Sequence, residues 1–240
     1  MDMVCVIVWA SDADAGTGDP AGLRSRIGAA VEGPLAALGV ERYLVNVRDE
    51  AVAGAMIDVQ VTERPVLAVV RARVPVASAT ALADLLEGAR AIGPVSAWSV
   101  TASEPLPIAD PTEGDRCEGM SQIAILRRPE RIEREQWLRT WLEEHTTVAV
   151  DTQSTSGYLQ HVVVRALTED APRIDAIVEE VLPLAAATDL TVFFGAPGDE
   201  ARMAANMQAM GASTARFLDD GTVDAIPTGR YVMRIRGPHM

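Results

Sequence analysis

The stretch SEPLPIADPTEGDRCEG, from Ser103 to Gly119, decides how the chain is read. Pro105, Pro107, Pro111 and Gly114, set among acidic residues, interrupt the apolar periodicity on either side. Clusters of this kind punctuate a chain. They predict a first unit at residues 1–105, a linker at 106–119 and a second unit at 120–236. On the N-terminal side, Met3–Ala10, Arg42–Val47, Val66–Val74 and Val95–Thr101 read as strands, and Leu23–Leu38 and Ser78–Ala91 as helices. On the C-terminal side, Gln122–Arg127, Gly157–Leu167, Ile174–Leu182 and Arg230–Ile235 read as strands, and Glu133–His145 and Glu200–Thr214 as helices. The order βαββαβ is therefore expected twice. Such a unit folds as a ferredoxin-like sheet with both helices on one face, so the other face needs an apolar cover. Two units can cover each other. The expected fold class is α+β: two ferredoxin-like βαββαβ units in tandem, their sheets packed face to face within one chain as a pseudo-dimer.

Composition narrows the functions open to such a chain. With 240 residues, 48% hydrophobic and 23% charged, it can bury a sizeable core. A net charge of −13 disfavours nucleic acid and anionic lipid, which both need concentrated positive charge. All 21 basic residues are arginine, which removes lysine Schiff-base chemistry and the lysine of a phosphate-binding loop. Cys5 and Cys117 are too few for a disulfide framework, and no spacing suggests a metal site. No apolar run reaches the roughly 18 residues of a membrane span. A cytoplasmic protein is expected.

The clearest candidate site lies on the helix Glu133–His145. Trp137, Trp141 and His145 follow one another at four-residue steps, which places them on one helical face. The chain holds only two other histidines, His161 and His239. Such a stripe also suits ordinary core, and His145, at a helix end, could serve only to cap carbonyls.

Residues 120–236 resemble the EthD-domain family of the dimeric α+β barrel superfamily. The likeness rests on Arg127-Arg128-Pro129, on Trp137, Trp141 and His145, and on Gly157-Tyr158-Leu159-Gln160. Asp175-Ala176-Ile177, Asp189, Phe217 and Asp219 extend it. Three departures stand out: the turn after Pro129 is one residue longer, Glu133 replaces the usual Ser or Thr cap, and Val162 occupies the position of a family histidine. His161 is displaced by one residue, which on a strand turns a side chain to the opposite face. Residues 1–105 lack the histidine and suggest a degenerate copy that completes the barrel.

The resemblance implies a cleft between sheet and helices and chemistry without a cofactor. Trp137 and Trp141 would wall a small aromatic or polyketide-like substrate, with Gln160 and His161 as further binding residues. His145 would move a proton and Tyr158 would steady a developing oxyanion. The expected reaction is proton transfer next to a carbonyl, as in a cyclase, dehydratase or monooxygenase. The alternatives are a non-catalytic binding protein or pseudoenzyme, and a haem protein using His145, as some tandem relatives of this architecture do. The fused repeat leaves a monomer or a homodimer open.

Weaker signals read as structure. Gly16, Gly18 and Gly22 lie among acidic residues and read as a surface loop. Met203, Met207 and Met210 read as packing. The tail Gly237-Pro238-His239-Met240 reads as a cloning remnant.

Overall fold

A computed structural model of the chain describes residues 1–11, 20–111 and 115–235. Gly16, Gly18 and the tail from Gly237 lie outside the described residues. The first unit runs β1 (Asp2–Trp9), α1 (Pro20–Ala37), β2 (Arg42–Val47), β3 (Val66–Val74), α2 (Ala83–Arg90) and β4 (Val95–Val100). A short strand, β5 (Ser103–Leu106), follows inside the proline-rich stretch. The second unit runs β6 (Met120–Leu126), α3 (Arg134–Arg139), a π-helical turn (Thr140–His145), α4 (Thr146–Thr152), β7 (Gly157–Ala166) and β8 (Ala176–Leu182). Helices α5 (Leu190–Phe193) and α6 (Glu200–Thr214) and strand β9 (Val223–Arg234) complete it.

The strands lie in the order β4-β1-β3-β2-β9-β6-β8-β7, and pairing of β4 with β7 closes the ring. Each unit has the same internal order: fourth, first, third and second strand. Both seams join the second strand of one unit to the fourth of the other. The tandem fold expected from sequence is thus a closed eight-stranded barrel with helices outside. Beyond the end of β4, β5 pairs with β7 at Ser103 and Leu106.

Closure explains why the strands are apolar on both faces. Along β1, Val4, Val6 and Val8 pack under α1 and α2, while Cys5, Ile7 and Trp9 face the lumen. Gly88 lets α2 approach α1, since a Cβ there would strike the Ala30 carbonyl oxygen. In the second unit, Trp137, Trp141, Tyr158, Val178 and Phe217 share a core between helices and sheet.

Several boundaries differ from the sequence reading: α2 begins at Ala83 rather than Ser78, and Gly22, read as part of a loop, lies within α1. The helix does not end at His145: it passes through the π turn and continues to Thr152. Strand β9 begins at Val223, seven residues before the expected start at Arg230. The added segment contains Pro227 and Gly229, residue types that usually weaken a strand. Yet β2 pairs with β9 only from Gly229 onward, so Pro227 needs no donor on that side.

Candidate functional site

The candidate site is a cavity of about 200 Å³ between the helices and sheet of the second unit. β8 and β7 supply its floor through Val178, Glu180 and Tyr158, with Tyr158 directly opposite Glu180 across the ladder. Trp141 and His145 come from the π turn, and Met210, Thr214 and Phe217 from α6 and the residues after it. The π turn places Trp141 and His145 side by side at the wall, a geometry common where helices carry binding groups. Its widened spacing is marked by Thr146 Oγ1, which donates to the Trp141 carbonyl at 3.0 Å.

The six residues singled out from sequence divide between this cavity and its surroundings. Trp141, His145 and Tyr158 line it. Trp137 stands behind Trp141, with ring centroids 5.3 Å apart, and does not reach the lining. Gln160 lies on the same sheet face but is engaged elsewhere: its Nε2 donates to Thr146 Oγ1 at 2.7 Å, and its Oε1 accepts from Ser103 at 3.1 Å. His161 points the other way, into the barrel, because it neighbours Gln160 on the strand. It is fully buried there and does not join the cavity. Glu133 makes no side-chain cap, as its replacement of Ser or Thr predicted.

Sequence reasoning missed Glu180, Gln122 and Gln153 on the wall. Glu180 is 8% exposed, and burial pushes its carboxyl up to about 7. Turned so that both its ends are satisfied, the Gln153 amide donates to Glu180 Oε2 at 3.2 Å. One signal could have found Glu180: the adjacent Glu179-Glu180 pair in the otherwise apolar strand AIVEEVL, where both faces had to be buried.

The imidazole of His145 is held rather than free. Its Nδ1 lies 2.9 Å from Ser213 Oγ, and Phe217 packs against the ring at 4.6 Å. Burial, then the Arg216 charge, pushes its pKa down to about 4. Burial drives the Tyr158 hydroxyl well above its usual range.

Comparison with known proteins places the architecture. No family model matches the chain, and no curated protein matches it. Solved structures do. An anthrone oxidase-like protein is 9% identical, with 98% of this chain and 92% of that chain aligned at a TM-score of 0.55. The fold is a dimeric α+β barrel. A putative monooxygenase from Fusobacterium nucleatum subsp. nucleatum ATCC 25586 is 7% identical, covering 98% of this chain and 93% of its own, at 0.45. A dye-decolorizing protein from V. cholerae is 9% identical, covering 97% and 93%, at 0.42. At such identities the likeness establishes the barrel and no activity.

The expected cofactor-independent proton-transfer enzyme is not retained. The groups assigned to it are mismatched: an imidazole near 4 is a weak base, and a phenol raised far above neutrality is a weak acid. Efficient general catalysis needs values near the working pH.

Haem does not fit the residues present either. The cavity of about 200 Å³ falls short of the roughly 300–1,000 Å³ typical of pockets for larger ligands. Its lining carries no arginine to meet a propionate, and Glu180 faces inward. Among the described residues no cluster of three or more His, Cys, Asp or Glu could hold a metal ion. Nor is any described helix long and apolar enough to cross a membrane.

Proposed function

We propose that this chain is a non-catalytic binding protein for a small, uncharged aromatic molecule with a hydrogen-bonding end. The observation that carries the reading is the cavity: aromatic on one side, through Trp141 and Phe217, and polar on the other, through Gln122, Gln153 and Glu180. A volume of about 200 Å³ suits a single ring, since an apolar cavity of about 150 Å³ accepts benzene. An anionic ligand is disfavoured by Glu180 and by the absence of arginine from the lining. The EthD-like pattern of the second half supports a site of this kind, and Val162, in place of the family histidine, supports binding without turnover. Cys5 and Cys117, both free and buried, fit a reducing cytoplasm. A ring closed within one chain fits a monomer.

Phenol is a suitable probe. Calorimetric titration is expected to show saturable binding of one phenol per chain, with phenol recovered unchanged. Ala124→Phe, which fills the cavity from β6, is expected to weaken binding at least about tenfold, or 1.4 kcal/mol. Absence of saturable binding, or equal binding by the filled variant, would contradict the proposal.

A further inference from the structure

The lumen of the barrel holds a second set of buried polar groups unconnected with the cavity beside Trp141. Arg71 on β3 and Arg230 on β9 are buried, and both donate to the same oxygen, Glu179 Oε2 on β8. The other carboxylate oxygen, Oε1, accepts from Ser121 at 2.6 Å and from Asn46 at 2.8 Å. The Glu179 carboxyl is held down at about 2, against the cost of burial, by these two guanidiniums and their neighbours. Two cations therefore share one anion inside the barrel, which leaves one positive charge unmatched.

Several buried polar atoms here are also unmatched. Arg71 Nε and Nη1, Arg230 Nε and both ring nitrogens of His161 are buried without a partner among the described residues. Buried guanidinium N–H groups without an acceptor are costly and uncommon. Glu179 cannot serve them, because its oxygens are already taken.

A cavity of about 350 Å³ opens at this end of the barrel, with Arg71 and Arg230 among its lining residues. Arg42 and Arg73 stand at its mouth. Arg73 lies two residues from Arg71 on one strand, so both face inward. Arg42 is paired with Asp110, but Arg73 has no ion pair among the described residues. Met3, Leu44, Ile108 and Leu159 form an apolar wall beside these charges. Glu104 and Asp110 also line the mouth, Asp110 already paired with Arg42 and Arg234, so four arginines outnumber two acids in one concave place of a chain whose net charge is −13.

The geometry points to a binding site in the mouth of the lumen for a small organic monocarboxylate. Its carboxylate meets Arg73 and the edge of Arg230 that reaches the cavity, with the Arg71 charge behind them, and its apolar body rests on Leu44 and Leu159. One negative charge restores neutrality, and the planar forks of two arginines suit a carboxylate. The apolar wall favours an organic acid over a bare inorganic ion.

The test is calorimetric titration of the full chain at neutral pH and fixed ionic strength, with benzoate as probe and benzamide as its uncharged counterpart. Saturable binding of benzoate, about millimolar or tighter, with none for benzamide, is expected. Saturating phenol is expected to leave the benzoate isotherm unchanged. Ala102→Trp, which fills the cavity from its wall and replaces none of the charged residues, is expected to weaken benzoate at least about tenfold while the melting temperature is kept. Glu179→Gln is expected to tighten benzoate binding if the variant folds, and Ala102→Trp decides the matter if it does not. No saturable heat with benzoate, equal heat with benzamide, displacement by phenol, or unaltered binding in Ala102→Trp would each overturn the assignment.

Discussion

Burial acts in opposite directions on the acid and the base of the Trp141 cavity. The Glu180 carboxyl is raised from 4.5 to about 7, so the folded protein holds a proton there that the unfolded chain has released. Stability is therefore lost as pH rises through this window, because the folded state must then carry a buried carboxylate. Glu180→Gln removes that cost. Thermal melts are expected to show the variant gaining on the parent protein as pH rises from 5 to 8, about the window of the shift. A gap independent of pH would place the carboxyl in water. His145 carries the reverse dependence: its value falls from 6.5 to about 4, so its contribution is present above 6.5 and disappears as pH drops through 4. At this scale the sequence exposed Trp141 and His145, because helical spacing reports which side chains share a face. It hid Glu180, because a strand buried on both sides gives no alternation from which to read a face. His161 was readable in one respect only: its offset from the family position sends it to the other side of the sheet.

The helix that carries the site is divided by its π turn, where the Thr146 N–H and hydroxyl both donate to the Trp141 carbonyl. Thr146 Oγ1 donates to the Trp141 carbonyl and accepts from Gln160 Nε2, which ties the helix to β7. Thr146→Val keeps the shape and removes both bonds, leaving the buried Gln160 amide without its acceptor. A loss of about 2 kcal/mol in urea unfolding is expected, from the cost of an unsatisfied buried polar group. A change below about 0.5 kcal/mol would mean that the tie contributes little. A π turn has no sequence mark comparable to a capping residue, so the continuous amphipathic pattern of Glu133–His145 read as plain α-helix. Strand β9 was half hidden for a different reason. Pro227 signals a break in any local reading, and only the absence of β2 opposite it makes the residue tolerable.

At the level of the molecule, the βαββαβ repeat was legible because each unit carries its own alternation of strands and helices. Closure followed from the family resemblance and not from any local pattern, because the β2–β9 and β4–β7 seams join residues far apart in sequence. Glu179 of the second unit pairs with Arg71 of the first, so neither unit has a satisfied interior alone. The units 1–105 and 120–236, produced separately, are expected to aggregate or remain unfolded. Produced together, they are expected to copurify one to one in size-exclusion chromatography. Independent folding of either unit as a stable monomer would contradict the shared lumen. The hollow beside Trp141 can be seen in a crystal soaked in para-bromophenol, through the anomalous signal of the bromine. A bromine peak between Trp141 and Glu180, lost in Ala124→Phe, is expected; an empty cavity, or a peak unaffected by that substitution, would rule out ligand binding there.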